Sequence, residues 1–340
     1  MLKQALIQSL HTFSSFIPLS WLQRLSRQSL FSLFYHTVSD QDLPHIKHLY
    51  KVRNSQLFEA DLDFLLQHFS PISLEQLIDH VQNGKTLPPN AFLLTFDDGL
   101  AECYHLIAPL LKQKGIPATF FLNSDFVDNK ALMFRYKASY LIEQLKTRSN
   151  ATKIAAQYFE QYQLPFDSLK KSLLAVRWPE QALLDDLAVA FDIDFEAFLQ
   201  EQKPYLTQEQ IRAMLKDGFT FGSHSQNHPT YNKLNLNDQI QQTIRCQHYL
   251  DLHFDLPYKT FAFPFTDYGV SAAFFHQILG KENFQLTFGG AGLKQEQIKG
   301  QLQRFGMETQ ALTSAKRLIH TEYSYYIIKS IFKKNTIHRN

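Results

Sequence analysis

Two adjacent carboxylates and two histidines spaced four apart are the residues in this sequence best suited to bind a metal ion or to catalyse a reaction. Asp97 and Asp98 follow an apolar run and precede Gly99. An ionised carboxylate at the end of a buried strand is costly unless a metal or hydrogen bonds compensate it, and neighbouring acids raise each other's proton affinity. The pair therefore indicates a metal site with a base beside it. The alternative is a turn whose acids cap a helix that starts near Leu100.

The histidines lie in a second polar cluster. His224 and His228 follow a short predicted strand at 219–221, and residues four apart can point the same way from a helical turn. Neutral imidazoles at this spacing are frequent zinc ligands. Because the chain has 14 histidines, two surface histidines in a polar loop are the alternative. Together with the acid pair they give an Asp-His-His set with positions open for water and substrate, which is the catalytic arrangement.

Strands and helices alternate around these residues, which predicts a parallel sheet or barrel. Ser73 and Thr207 are predicted helix N-caps, and Gly115 is a predicted helix end. The predicted strands before the insertion cover 30–38 and 92–96, and the predicted helices cover 54–68, 74–81, 100–114 and 208–215.

Five segments occur in an order shared with a known family: FYHTV at 34–38, TFDDG at 95–99, GIPATFFL at 115–122, HSQNH at 224–228 and FAFPF at 261–265. They resemble, in turn, the opening strand, first motif, second strand, second motif and a variant third motif of the polysaccharide deacetylases. These form the NodB-homology group, carbohydrate esterase family 4. The resemblance covers about residues 31–128 and 207–310.

The resemblance implies an α/β fold, a distorted (β/α) barrel of the NodB-homology type with a helical insertion, and metal-dependent hydrolysis of an N-acyl group. It implies that Asp98, His224 and His228 bind a divalent metal ion, with zinc as the default and cobalt, nickel or iron as alternatives. Asp97 is then the general base. The backbone N–H of Phe265 then helps to hold the tetrahedral oxyanion.

Two positions depart from the family pattern. Ala262 stands where an arginine usually partners the base, and Arg304 on a candidate late strand is expected either to replace that arginine or to lie on the barrel rim. The family's late histidine, which protonates the amine, has no clear counterpart. His36 at the end of the first strand is one candidate, with His276 and His320 as weaker ones, and each could instead be a core histidine.

The helical composition of residues 130–205 predicts an insertion between two parts of the barrel. Its segment 133–137 is expected either to pass near the mouth of the active site or to pack as an ordinary helix. The predicted division of the chain is an N-terminal helical segment at 1–30, barrel parts at 31–129 and 207–312, the insertion at 130–206, and a basic C-terminal helix or tail at 313–340.

The composition of the chain limits which binding partners and which cellular location we expect. A net charge of +2 gives no general attraction to nucleic acid, and two cysteines make no disulfide framework. The first thirty residues are too polar for a secretory signal, and no apolar run reaches about 18 residues, so we expect a cytoplasmic enzyme. Because both ends of the chain are basic, the C-terminal helix is expected either to cap the barrel or to contact the inner face of a membrane.

The predicted function is deacetylation of an N-acetylamino sugar in a polysaccharide or a lipid-linked glycan precursor. One alternative is a deformylase of a formamido sugar, which uses the same metal chemistry. Another is a non-catalytic glycan-binding protein that kept the fold. The missing arginine and histidine favour the binding protein, whereas a base beside a metal site favours the enzyme.

Overall fold

The computed structural model describes residues 10, 14–308 and 313–339, and its main feature is a parallel sheet curled into a nearly closed barrel. The strands are β1 (Leu30–Tyr35), β2 (Ser70–Pro71), β3 (Ala91–Phe96), β4 (Ala118–Leu122), β5 (Thr220–Ser223), β6 (Thr260–Ala262), β7 (Leu286–Gly289), β8 (Gln295–Glu296), β9 (Gln301–Gln303), β10 (Phe305–Gly306) and β11 (Thr336–Ile337). Barrel strands follow one another in the order β10-β1-β3-β4-β5-β6-β7-β9, and β2 pairs with the start of β3.

One short stretch of chain links the last barrel strand to the first. β9 pairs with β7, whereas β10 pairs with β1. Arg304 is the single residue between β9 and β10, so it lies where the pairing partner changes. The small parallel pair of β8 and β11 lies outside the barrel.

Helices surround the barrel and fill the long connection between β4 and β5. The α-helices are α1 (Leu19–Ser26), α2 (Ser55–His68), α3 (Leu74–Asn83), α4 (Ala108–Lys114), α5 (Phe134–Leu145), α6 (Ala151–Gln161), α7 (Leu169–Ala175), α8 (Ala182–Ala190), α9 (Phe195–Gln202), α10 (Gln208–Lys216), α11 (Leu236–Phe254), α12 (Ala272–Phe275) and α13 (Ala315–Ile331). Short 3-10 or π-helical turns cover Ser14–Phe16, Cys103–Ile107, Val127–Asn129, Trp178–Glu180, Tyr231–Lys233 and His276–Lys281.

Local sequence signals fix several helix ends. Ser73 and Thr207 each form a capping box: the cap hydroxyl accepts the N–H of Gln76 or Gln210, and that glutamine side chain accepts the N–H of the cap residue. Gly115 ends α4 in the left-handed conformation, with φ of +66°. These three predicted helix boundaries are therefore present in the structure.

Two other predicted boundaries are wrong. The strand predicted over 30–38 ends at Tyr35, and Val38 instead forms an isolated bridge with Arg53. Leu100 does not begin a helix, because its backbone bridges Tyr205 at the far end of the long connection. This second bridge ties the segment after Asp98 to the segment that follows α9.

Aromatic side chains pack along neighbouring strands. Every residue of β3 is buried, as expected for a strand covered on both faces. Phe120 of β4 stacks on Phe96 of β3 with ring centroids 5.0 Å apart, and it meets Phe221 of β5 at 5.5 Å. Such contacts between strands help to align their carboxyl ends along one edge of the barrel, where the catalytic motifs follow.

The segment predicted as a helical insertion contains α5 to α9 and has an apolar core of its own. Leu141, Leu184 and Phe198 are buried in this core, together with Ile46 from the loop that follows β1. The insertion and that loop therefore pack as one unit beside the barrel. The division of the chain into domains stays a prediction.

The C-terminal helix α13 packs its aromatic side chains onto the barrel. Tyr323 and Tyr326 are buried, and the ring of Tyr323 lies 5.4 Å from that of Phe31 in β1. Ile331 and Phe332 are exposed at the helix end. This packing is what the barrel-capping alternative predicts, and membrane contact stays a prediction. None of the helices in the described ranges has the length and apolar character needed to cross a membrane.

Candidate active site

The candidate site lies where barrel strands end. Asp97 and Asp98 directly follow β3, His224 directly follows β5, and these side chains line a cavity of about 280 Å³. The carboxyl ends of barrel strands are the usual place for catalytic residues in this architecture. His36, which follows β1, and Arg304, which precedes β10, line the same cavity.

Asp98, His224 and His228 bring three ligand atoms together. Asp98 Oδ1 lies 3.4 Å from His224 Nε2 and 3.2 Å from His228 Nε2. His224 Nδ1 donates to the carbonyl of Ala262 at 2.8 Å, which leaves the lone pair on Nε2. Burial lowers the pKa of His228, although the Asp98 carboxylate opposes this, so the His228 imidazole is neutral at pH 7. Lone pairs on buried atoms at these distances indicate a cation between them.

The spacing of these atoms fits a divalent metal ion. Around a tetrahedral zinc with bonds of about 2.0–2.1 Å, ligand atoms lie roughly 3.3–3.4 Å apart. The Asp98–histidine separations of 3.4 and 3.2 Å match that value. Asp98 Oδ1 is buried and has no hydrogen-bond partner in the described part of the chain. Asp98, His224 and His228 therefore form a candidate metal site.

The second oxygen of the Asp98 carboxylate is held by the insertion. Tyr136 of α5 donates its hydroxyl to Asp98 Oδ2 at 2.7 Å, and both side chains are buried. Met133 and Arg135 from the same segment also line the cavity. The segment expected near the mouth of the site is thus part of its wall. Beyond that expectation, no motif in the sequence indicates the contact between Tyr136 and Asp98.

Arg304 makes a two-point contact with the predicted base. Its two terminal nitrogens donate to the two oxygens of Asp97 at 2.7 and 2.8 Å, and one of them also donates to the Thr95 hydroxyl at 2.9 Å. Arg304 is only 1% exposed, so it does not lie on the barrel rim. Burial alone would raise the pKa of Asp97, but the guanidinium outweighs burial and lowers it. Asp97 is therefore ionised at neutral pH.

His36 is paired with an acid that sequence reasoning missed. The Glu308 carboxylate contacts His36 Nδ1 and accepts the backbone N–H groups of His36 and Thr37 at 2.8 and 3.1 Å. Burial alone would lower the pKa of His36, but Glu308 outweighs it and raises the pKa to about 10. The imidazole is therefore protonated at neutral pH. The weaker candidates His276 and His320 do not line the cavity.

Strained backbone accompanies the functional side chains. Four non-glycine residues at the site have left-handed φ angles between +56° and +75°: Asp98, Ser225, His228 and Phe265. Such conformations cost of order 1–3 kcal/mol each and persist only where the surroundings enforce them. Part of that support is visible, because the Ser225 hydroxyl accepts the N–H of His228 at 3.0 Å.

Phe265 lines the cavity and is the last residue of the predicted third motif. Its side chain is 47% exposed, and its ring meets that of His228 at 4.6 Å in an edge-on arrangement. No acceptor for the N–H of Phe265 is found among residues 14–308 and 313–339. This N–H is therefore available to a ligand beside the candidate metal site.

Comparison with known proteins identifies the family. The sequence profile described as "Polysaccharide deacetylase" matches residues 84–282, which is more than half of the chain, so the chain belongs to the polysaccharide deacetylase family. The resemblance predicted from the motifs is thereby confirmed, and so is the predicted NodB-type (β/α) barrel.

Individual relatives match parts of the chain. It is 30% identical over 100 residues to the poly-beta-1,6-N-acetyl-D-glucosamine N-deacetylase of Escherichia coli K12, a match that covers 29% of this chain and 15% of that protein. It is 27% identical over 170 residues to the putative polysaccharide deacetylase YheN of Bacillus subtilis, covering 49% of this chain and 55% of YheN. The matches thus span only part of each of these curated relatives.

A solved structure with a similar fold is that of the Streptococcus pyogenes deacetylase PplD, determined in complex with acetate. The alignment has a TM-score of 0.56 and 16% sequence identity, and it covers 86% of this chain and 97% of PplD. At this identity the likeness shows the fold alone.

Proposed function

We propose that this protein is a metal-dependent hydrolase that removes the N-acetyl group from an amino sugar in a glycan. The observation that carries the proposal is the convergence of three buried ligand atoms, from Asp98, His224 and His228, beside Asp97, a carboxylate that Arg304 keeps ionised. A glycan-binding protein without activity has no need for a base in that position. Family membership supports the reaction class.

A divalent ion held by Asp98, His224 and His228 would supply a Lewis acid that polarises the acyl oxygen and lowers the pKa of water; zinc is our first choice for its identity. Asp97 takes a proton from the attacking water, because it is ionised and lies next to the ligand Asp98. Arg304 holds that carboxylate in place through its two hydrogen bonds.

Two further groups complete the proposed reaction. As water adds to the acyl carbon, the N–H of Phe265 donates to the developing oxyanion. His36, which Glu308 keeps protonated, then gives its proton to the amine nitrogen as the carbon–nitrogen bond breaks. The products are acetate and the free amino sugar. In this scheme His36 and Asp97 divide the acid and base roles.

We infer that the substrate contains N-acetylglucosamine, either in a polysaccharide or in a lipid-linked precursor. The similarity to the E. coli poly-beta-1,6-N-acetyl-D-glucosamine N-deacetylase supports this sugar. The test is to load the purified protein with Zn²⁺ and to measure acetate and formate released from N-acetylglucosamine oligomers, lipid-linked N-acetylated sugars and a formamido sugar. We expect acetate. Formate from the formamido sugar alone would identify a deformylase, and sugar binding without release would identify a binding protein.

A cytoplasmic location with peripheral membrane contact also stays a proposal. Its support is the charge of the C-terminal segment, in which Lys329, Lys333 and Lys334 lie beside the exposed Ile331 and Phe332. Flotation with anionic vesicles at low salt tests it. We expect the full-length protein to float and a Lys333→Glu, Lys334→Glu variant to float less. If neither protein floats, the membrane contact is wrong.

A further inference from the structure

A second cavity of about 620 Å³ adjoins the candidate active site. Gly290, which follows β7, lines both this second cavity and the catalytic cavity. Thr266 and Phe305 of the second cavity directly follow Phe265 and Arg304 of the catalytic one. The second cavity therefore starts one residue away from the backbone N–H that we assign to the oxyanion.

The residue at the junction has no side chain. A Cβ atom placed on Gly290 would lie 3.8 Å from the carbonyl oxygen of Phe265 and 3.8 Å from the ring of Phe34. Glycine adds no side chain at the position that lines both cavities. A ligand that reaches past Gly290 can therefore occupy both cavities.

The volumes of the two cavities suggest which sugar residues of a glycan each cavity would hold. The catalytic cavity, at about 280 Å³, lies at the low end of the roughly 300–1,000 Å³ that small-ligand sites occupy. The second cavity, at about 620 Å³, lies within that range. A sugar in the catalytic cavity leaves little room there for its neighbours in a chain. Those neighbours need a separate surface next to the catalytic cavity.

The second cavity has side chains suited to a sugar. Tyr268, which is 65% exposed, and Tyr325 of α13 both line this cavity, and the Lys329 ammonium lies 3.8 Å from the Tyr325 ring centroid. Aromatic faces pack against the C–H face of a pyranose ring, while Thr266 and Lys294 can bond its hydroxyl groups. The Lys294 ammonium lies 5.8 Å from the Tyr268 ring centroid, and no carboxylate within the described ranges pairs with it. It is therefore free to donate to a ligand.

Buried polar contacts fix the walls of the second cavity. The buried Asp267 carboxylate accepts from Gln301 at 2.9 Å and contacts Arg339, which also donates to the Asp267 carbonyl at 2.9 Å. These contacts anchor the loop that carries Phe265 and Tyr268. A loop fixed in this way is preorganised for binding.

We propose that the second cavity binds the sugar residues next to the one that is deacetylated, with Tyr268 and Lys294 as the specificity-determining side chains. The ligand class is an oligosaccharide of N-acetylated amino sugars that passes over Gly290. This proposal rests on the proposed function, since it assumes that an N-acetylamino sugar occupies the catalytic cavity. It goes further by making chain length a determinant of the reaction.

The test compares trimers with the monosaccharide. We measure kcat/KM for acetate release from β-1,6- and β-1,4-linked tri-N-acetylglucosamine and from N-acetylglucosamine. Wild-type protein should prefer one trimer over the monosaccharide, and Tyr268→Ala and Lys294→Ala should each reduce that preference about tenfold, as expected for a contact at the centre of a binding surface. Leu252→Ala is the matched control, because Leu252 is exposed on α11 and lines neither cavity. It should keep the wild-type preference.

Calorimetric binding to the Asp97→Asn variant separates this proposal from the proposed function, because it does not require turnover. The trimer should bind more tightly than the monosaccharide, and adding Tyr268→Ala should remove most of that difference. An unchanged trimer preference in both Tyr268→Ala and Lys294→Ala, or equal binding of trimer and monosaccharide, overturns the second cavity as a sugar site. Absence of acetate from every substrate, together with normal trimer binding, contradicts only the proposed function.

Discussion

Asp97 and His36 carry opposite charges at neutral pH because each is paired with a buried partner of opposite sign. Arg304 lowers the pKa of Asp97, and Glu308 raises the pKa of His36 to about 10. The pKa values of two titratable groups in one cavity are thus shifted in opposite directions. Such opposite shifts are typical of a site in which one group acts as the base and the other as the acid. The partners, and not the catalytic candidates alone, determine these charges.

The base assignment predicts the effect of Asp97→Asn. Asparagine keeps the size of the side chain but cannot accept the proton from water, so we expect kcat to fall by about 10²–10⁴. The ligand atoms of Asp98, His224 and His228 are untouched, so metal content should stay at the wild-type level. Turnover equal to that of wild type would show that another group is the base.

The acid assignment predicts a shift in pH dependence. His36 acts in its protonated form, so activity is lost as pH rises through its pKa. Removing the Glu308 carboxylate in Glu308→Gln lowers that pKa, and the basic limb of the kcat/KM profile should move to lower pH by about one unit or more. A bound cation opposes protonation of His36. We therefore expect the basic limb to lie below pH 10 in both the wild-type protein and the Glu308→Gln variant. Glu209→Gln, an exposed control on α10, should leave the limb in place.

At the scale of elements, helix α5 of the insertion contacts the metal site directly. Tyr136 donates to Asp98 Oδ2, which leaves Oδ1 directed at the two imidazoles. Groups that orient a metal ligand typically change metal affinity by about 10–100-fold when removed. We therefore expect the insertion to orient the Asp98 ligand of the candidate metal site as well as to line the cavity.

Tyr136→Phe should weaken metal binding by about 10–100-fold while the protein stays folded. The measurement is competition for Zn²⁺ against a chelator, with unfolding followed by circular dichroism. Tyr162→Phe is the matched control, because the Tyr162 hydroxyl contacts Asp186 on the outside of the same insertion. Equal metal affinity in Tyr136→Phe and wild type would contradict the positioning role.

The elements that the sequence predicted are those with local signals. The capping boxes at Ser73 and Thr207 involve residues three apart, and the acid pair directly follows an apolar strand. The strand that ends at Tyr35 was predicted too long, because the pairing of Val38 with Arg53 outside the barrel has no signature in the sequence. Helix caps are local properties, whereas strand partners, and the strand ends that depend on them, are not.

At the scale of the whole molecule, the contacts that tune the site join distant parts of the chain. His36 and Glu308 are 272 positions apart, and Thr95 and Arg304 are 209 positions apart. Arg304 was a candidate only because a resemblance showed that an arginine was missing at Ala262. Glu308 and Tyr136 belong to no motif, so only closure of the barrel and docking of the insertion bring them to the site.

The barrel also explains how one edge serves both cavities. The loops after β6 and β7 carry Phe265 and Gly290, which face the catalytic cavity, and they continue into Tyr268 and Lys294 of the second cavity. If both proposals hold, adjacent segments of these two loops contribute to the chemistry and to the selection of substrate length.

We propose above all that this chain hydrolyses N-acetyl groups with a metal ion held by Asp98, His224 and His228. This proposal is tested most directly by measuring acetate release from tri-N-acetylglucosamine as metal-free protein is titrated with Zn²⁺. We predict no release without metal, a rise that ends near one equivalent, and no recovery at one equivalent in a His224→Ala, His228→Ala variant. Equal release by metal-free and metal-loaded protein, or full recovery in that variant, would contradict the account.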